Sequence, residues 1–249
     1  MSLGRASEVE KRCLADIDVV ILAGGLGTRL RSILPDTPKI LAPVGGTPFI
    51  DILLDRLGRF GARRVILALG HLADQVERHL AVTPRADMSI ILVNEPEPLG
   101  TAGALRHVRP EIETPLALVV NGDSLVDVDL CAFIAAYRAS GAEGAILCTR
   151  VADAARYGTV EIDGSSRIAA FREKTGGQGP GTINAGIYVM GCALLDRIEQ
   201  IGGPSLERDV FQKLPPGTLA AYVGAFAFLD IGTPEDLPRG SEFLDRTVR

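Results

Sequence analysis

Asp18-Val19-Val20-Ile21-Leu22-Ala23 runs without a break into Gly24-Gly25-Leu26-Gly27-Thr28-Arg29-Leu30. A short apolar, β-branched run of this kind is the mark of a strand buried on both faces. Three further runs, Arg64 to Leu69, Met88 to Val93 and Leu116 to Asn121, are each followed by a helix-like stretch. This βαβα order predicts an α/β fold with a Rossmann-like, doubly wound and mostly parallel sheet covered by helices. Ligands in such sheets bind beyond the carboxyl ends of the strands, so the residues just after each run are the first candidates for a site.

After Gly141 the rhythm changes to shorter runs, about Ala145 to Arg150, Thr159 to Asp163, Arg167 to Arg172 and Ile183 to Met190, broken by glycines. They predict a small inserted sheet-rich lobe packed against the parallel core. A final strand is expected near Ala225 to Asp230 and a helix near Pro234 to Asp245. Residues 1–17 read as a flexible lead-in and 18–249 as a single domain, with no internal repeat and no fused solenoid.

The chain has 249 residues, of which 47% are hydrophobic and 23% charged, an ordinary composition for a water-soluble domain with a large core. A net charge of -5 and a pI near 5.3 argue against a general nucleic-acid surface, which carries a clustered basic excess. No stretch approaches the roughly 20 apolar residues of a membrane span. Cys13, Cys131, Cys148 and Cys192 lie far apart without a C-x-x-C pair, so neither a zinc site nor a disulfide framework is expected, a pattern that suits reduced cytoplasm. Homo-oligomerisation is compatible with the sequence, which does not decide it.

The glycine loop Leu22, Ala23, Gly24, Gly25, Gly27, Thr28 with Arg29 suits a polyphosphate: glycines let the backbone approach closely, and the arginine adds positive charge. A dinucleotide fingerprint would need a further glycine where Leu30 stands, and the G-K-[ST] of a Walker loop is absent. Ten residues beyond Arg29, Lys39 sits in the proline-braced segment Thr37-Pro38-Lys39-Ile40-Leu41-Ala42-Pro43. Asn121-Gly122-Asp123 closes another apolar run, and Asp230 follows the last one. Each aspartate has a plainer reading, Asp123 as a turn residue and Asp230 as a helix cap. Together they suit Mg²⁺, which takes a few carboxylate oxygens plus substrate phosphates.

These ordered motifs resemble the sugar-phosphate nucleotidyltransferases with a GT-A-like fold, from about Val19 to Glu235. The resemblance implies that Arg29 and Lys39 support the nucleotide phosphates and that Asp123 and Asp230 hold the metal. It makes Leu99, Gly100 and Thr101 part of the base pocket. Tyr157, Gly158, Glu173, Lys174, Asn184 and Gly186 become the sugar-phosphate side. About 18–140 would then be the nucleotide half and about 141–249 the sugar-phosphate half. Ile40 departs from the pattern, standing where many relatives have a second proline, which loosens the lysine loop.

The reaction implied is in-line attack of a sugar 1-phosphate on the α-phosphorus of a nucleoside triphosphate, with pyrophosphate leaving. Because a phosphate monoester has a second pKa near 6, roughly nine tenths is already dianionic at pH 7 and no general base is required. His71, His79 and His107 lie outside the motifs. An ionised Glu95 could accept from guanine N1-H and its exocyclic amine together, which favours GTP over pyrimidine nucleotides. In wording the motifs look closest to guanylyltransferases for D-glycero-D-manno-heptose 1-phosphate or mannose 1-phosphate. The competing readings are a relative using UTP, dTTP or CTP, a non-catalytic nucleotide-binding subunit, and an NAD oxidoreductase.

Overall fold

The computed structural model describes residues 12–30, 32–172 and 179–247. Strand β1 (Asp18–Ala23) leads through the glycine loop to a small hairpin of β2 (Pro43–Val44) and β3 (Thr47–Pro48), and then to helix α1 (Phe49–Arg59). There follow β4 (Arg64–Leu69), α2 (Ala73–Val82), β5 (Ser89–Asn94), α3 (Gly100–Val108), β6 (Leu116–Asn121), β7 (Ser124–Val126) and α4 (Leu130–Ser140). The second half contributes β8 (Gly144–Val151), β9 (Thr159–Ile162), β10 (Ile168–Arg172), β11 (Gly181–Gly191), α5 (Cys192–Gln200), β12 (Leu219–Gly224), β13 (Phe228–Asp230) and α6 (Asp236–Thr247).

A nine-stranded sheet organises the molecule. β6, β1, β4 and β5 are neighbours in that order and all parallel. Strands β1, β4 and β6 bury nearly every residue, which explains why their apolar runs do not alternate. Alternate side chains of β1 point to opposite layers: Val19 and Ile21 join α1, α4 and α6 on one face, while Val20 and Leu22 join α3 and α5 on the other. Helix α1 shows how the sequence specifies its layer. Phe49, Ile50, Leu53, Leu54 and Leu57 form one buried stripe, with Asp51 in the first turn and Arg56 and Arg59 in the last, each sign matching the helix dipole.

The sheet-rich lobe expected after Gly141 is continuous with the parallel core. β11 runs antiparallel between β6 and β8, β12 adds parallel to β8, and only β9 and β10 branch away from β11. The sequence reading missed β7 and β12, and it set the last strand too early. β13 starts at Phe228 and pairs with β7. β7 and β13 have three residues each, too few apolar positions to show a period.

Two expectations about the chain's beginning need revising. Leu14 and Ile17 are buried, and the Leu14 N–H donates to Phe60 O, so packed structure extends N-terminal of Asp18. Cys13 and Cys131 form a disulfide across 118 residues, with Cα atoms 5.4 Å apart, while Cys148 and Cys192 are free thiols. Spacing along the chain could not reveal this pair, because the layer order brings the turn before β1 against the first turn of α4.

Helix α6 is anchored by Asp236, which is buried and accepts from Arg156 at 2.7 and 3.2 Å and from the Thr233 hydroxyl at 2.8 Å. Burial alone would raise this carboxyl, but the Arg156 and Thr233 hydrogen bonds outweigh it and hold it below its ordinary value. A depressed carboxylate contributes stability that is complete above the unfolded value near 4 and is lost as pH falls through the folded value. The Asp236→Asn variant is therefore expected to be less stable than wild type at pH 7 and to converge with it in acid, at a pH below the folded value. Urea unfolding at both pH values measures this, and a gap that persists in acid would contradict it.

Candidate active site

All four parallel strands end on one edge of the sheet. Leu22 lies level with Asn121, Ala23 with Leu69, and Leu69 with Asn94, so the glycine loop, Glu95 and Asn121-Gly122-Asp123 crowd together there. Gly122 donates its N–H to Leu22 O at 2.8 Å, and a Cβ at Gly122 would stand 2.8 Å from that same oxygen. Glycine is therefore the residue that lets β6 turn against β1 and bring Asp123 to the loop.

Lys39 opens a single 3₁₀ turn, Lys39–Leu41, whose middle residue Ile40 is 2% exposed. Burial of the Ile40 side chain braces this turn, so the lysine loop is not loosened there. Lys39 Nζ meets Asp123 Oδ2 at 2.7 Å, and the Ser124 hydroxyl donates to Asp123 Oδ1 at 3.1 Å. Burial pushes the Asp123 carboxyl up, but the Lys39 charge and these hydrogen bonds prevail and hold it below its ordinary value.

Asp230 is not the cap of the last helix, which begins at Asp236. It pairs across β7–β13 with Ser124, and Ile231 N–H donates to Asp123 O, which sets the two aspartates side by side. Its carboxyl is raised, first by burial and then by the charge of Asp123. The Arg29 guanidinium reaches this corner, 3.3 Å from where a Cβ on Gly232 would stand. Arg29, Lys39, Asp123 and Asp230 form one compact, charge-balanced group.

This pair fits a hard divalent cation. Asp230 Oδ1 is buried without a hydrogen-bond partner, and the raised carboxyl beside a second carboxylate is a position that positive charge relieves. Among the described residues no group of three or more His, Cys, Asp or Glu could enclose a metal. Two carboxylates leave coordination positions for phosphate oxygens and water, as Mg²⁺ prefers.

Two cavities meet at Asn121 and Asp123. The first, about 230 Å³, is lined by Leu22, Gly24, Gly25, Leu26, Glu95, Pro98, Gly100 and Thr101. Ala23, Gly27, Thr28 and Leu99 stand beside it rather than in its wall. Glu95 presses its carboxylate against Gly24; Oε2 accepts from Leu99 N–H at 3.0 Å, and Oε1 is buried without a partner. Burial raises the Glu95 carboxyl, and the Leu99 hydrogen bond opposes the rise. The Thr101 hydroxyl accepts from Leu206 N–H at 2.9 Å, a structural commitment the sequence did not suggest.

The second cavity, about 450 Å³, is lined by Tyr157, Gly158, Asn184 and Gly186 together with Asp230. Asn184-Ala185-Gly186 forms an irregularity in β11 where the register with β8 shifts. Gly186 has φ +74°, and a Cβ there would stand 2.9 Å from Asn121 Nδ2, so this bulge needs glycine to lie against the end of β6. Glu173 and Lys174 lie outside the described residues. Sequence reasoning missed Asn121 and the Ser205–Gln212 segment, which places Ser205, Glu207, Arg208 and Gln212 on the same cavity. That segment follows no strand and reads as a charged surface turn, so nothing local marked it.

The geometry agrees with what similar proteins indicate. A family model described as nucleotidyl transferase matches residues 18–247. The chain belongs to that family. It is 36% identical over 235 residues to a mannose-1-phosphate guanylyltransferase of Mycobacterium tuberculosis, covering 93% of this chain and 66% of that one. It is 30% identical over 233 residues to the D-glycero-alpha-D-manno-heptose 1-phosphate guanylyltransferase of Aneurinibacillus thermoaerophilus, covering 93% of this chain and all of that one. The crystal structure of HddC from Yersinia pseudotuberculosis complexed with GMP-PN has a TM-score of 0.80 at 35% identity, covering 91% of this chain and 98% of that one. The chain spans a little under two thirds of the length of the mannose-1-phosphate guanylyltransferases it matches. Among the described residues no helix is long and apolar enough to cross a membrane.

Proposed function

We propose that this nucleotidyl transferase family member joins GTP to a manno-configured sugar 1-phosphate and releases pyrophosphate. D-glycero-D-manno-heptose 1-phosphate is the first-choice acceptor and mannose 1-phosphate the second. One observation carries the reading: Asp123 lies on both cavities, paired to Lys39 and beside Asp230, where two phosphates entering from opposite sides would meet.

In this mechanism the sugar-phosphate dianion attacks unaided, and catalysis is positioning and charge neutralisation. Asp123 and Asp230 would hold Mg²⁺, which when bound supplies positive charge to the reacting phosphates. Lys39 and Arg29 offset charge on the leaving pyrophosphate. Tyr157, Gly158, Asn184 and Gly186 hold the sugar phosphate, and Glu173 and Lys174 are assigned to the same side by the resemblance, Lys174 to orient the attacking group. Nucleoside triphosphate as substrate favours a cytoplasmic setting, whereas the Cys13–Cys131 disulfide does not suit a reduced compartment.

Glu95 is the reader of the base. Its unpartnered Oε1 beside Gly24 offers an acceptor for one guanine N–H, and Oε2 can take a second. Glu95→Gln replaces one acceptor with a donor, so kcat/KM for GTP is expected to fall roughly 10- to 100-fold, with pyrimidine triphosphates affected much less. Pyrophosphate release across five nucleotides, each paired with heptose, mannose and glucose 1-phosphates, tests the whole reading. Equal or better turnover with UTP, dTTP or CTP would remove guanine from it.

A further inference from the structure

Glu207 is a carboxylate built into the wall of the second cavity, and among the described residues it forms no ion pair. Tyr188, 1% exposed, donates its hydroxyl to Glu207 Oε1 at 3.1 Å, and the Ser205 hydroxyl donates to Oε2 at 3.0 Å. The Tyr188 oxygen in turn accepts from Asn184 Nδ2 at 2.7 Å. An ionised carboxyl has about four lone-pair sites and donates nothing, so roughly two remain for a ligand. Among the described residues no lysine or arginine forms an ion pair with Glu207, although Arg208 is its neighbour in sequence.

The support beneath Glu207 is stiff. Leu206 N–H is held by Thr101 Oγ1, Ala102 N–H donates to Pro204 O at 2.8 Å, and Arg106 donates to Gly203 O at 2.6 Å. The segment carrying Glu207 is therefore fastened to the first turns of α3, whose residues Gly100 and Thr101 line the nucleotide cavity. A group held from both sides in this way, with free lone pairs and no charged partner among the described residues, suits neutral hydroxyl donors that arrive in a fixed orientation.

Resting on the sugar-nucleotide reaction proposed above, we infer that Glu207 accepts hydrogen bonds from ring hydroxyls of the sugar 1-phosphate and so selects the sugar, with Tyr188 as its positioning residue. Unlike the glycine and aspartate motifs, which meet phosphates common to every substrate of this class, Glu207 meets the part of the substrate that differs.

The test compares wild type, Glu207→Gln and Tyr188→Phe on the preferred sugar 1-phosphate and its single-deoxy analogues, alongside calorimetric binding of the same compounds with a non-hydrolysable GTP analogue present. For Glu207→Gln, KM for the sugar 1-phosphate is expected to rise about 10- to 100-fold, with the KM for GTP and the Tm nearly unchanged. The deoxy analogue lacking the contacted hydroxyl should cost wild type a similar factor and cost the variant less than about twofold, the mark of a lost pairwise contact. Tyr188→Phe should shift the same analogue's ratio in the same direction by a smaller factor. If both variants keep the wild-type ratios for every analogue, Glu207 only braces its turn and the inference falls while the reaction stands. If wild type turns over no pair but binds sugar phosphates in a Glu207-dependent way, the reaction falls and the inference stands. Wild type that neither turns over nor binds any of them overturns both.

Discussion

Replacing Lys39 with alanine is expected to lower kcat by on the order of 10² to 10³, the usual effect of deleting one preorganised electrostatic donor. Lys39 Nζ lies 2.7 Å from Asp123 Oδ2 on a turn fixed by the buried Ile40, so little motion is needed for it to serve a phosphate in the same corner. Removing it subtracts positive charge where negative charge accumulates on the leaving group. It also leaves Asp123 and Asp230 facing each other without its charge, with Arg29 still in the same corner. Lys39→Arg keeps the charge but spreads it over a longer, planar group, and should recover only part of the loss. Arg29→Ala is expected to fall in the same range. If both cations act on one leaving pyrophosphate, the double variant loses less than the product of the two single effects. Steady-state kinetics with GTP and sugar 1-phosphate varied separately distinguishes this from a binding defect, which would raise KM and spare kcat. A loss under tenfold would remove the residue from the mechanism.

The reach of the sequence follows from what kind of signal each feature leaves. Buried parallel strands announce themselves, because β1, β4 and β6 must be apolar on both faces, and their bounds were readable almost to the residue. Their carboxyl ends then pointed to the glycine loop, Lys39 and Asp123 without further information. Asp230 was nominated by its place after an apolar run, but its pairing across β13 with Ser124 depends on a three-residue strand that no periodicity could reveal. Glu207 and Ser205 were invisible for another reason. They reach the cavity through contacts more than 100 residues away, Leu206 to Thr101 among them, and long-range packing leaves no local pattern. Asn121 sat in plain view beside Asp123 and read as half of a turn; only the junction of two cavities gives it a second role.

The disulfide obeys the same logic, and its removal should have the largest effect on stability. Joining Cys13 to Cys131 closes a loop of 118 residues, for which chain entropy alone gives roughly 5 kcal/mol and measured bonds typically give about 2 to 4. For a chain of this size that range corresponds to a fall in Tm of roughly 5 to 15 °C in the Cys13→Ser/Cys131→Ser variant or under reductant. Native packing should survive the change, because Leu14 and Ile17 anchor the same segment through burial and the bond acts chiefly on the unfolded ensemble. Turnover at 25 °C should stay within about twofold, since Cys13 precedes the amino end of β1 while the candidate site lies beyond its carboxyl end. Thermal unfolding of oxidised, reduced and serine-substituted protein, followed beside activity, separates these effects. A reduced protein as stable as the oxidised one would mean that the bond does not form in solution. A fall in activity larger than the fall in folded fraction would mean that the segment before β1 reaches the site through the sheet.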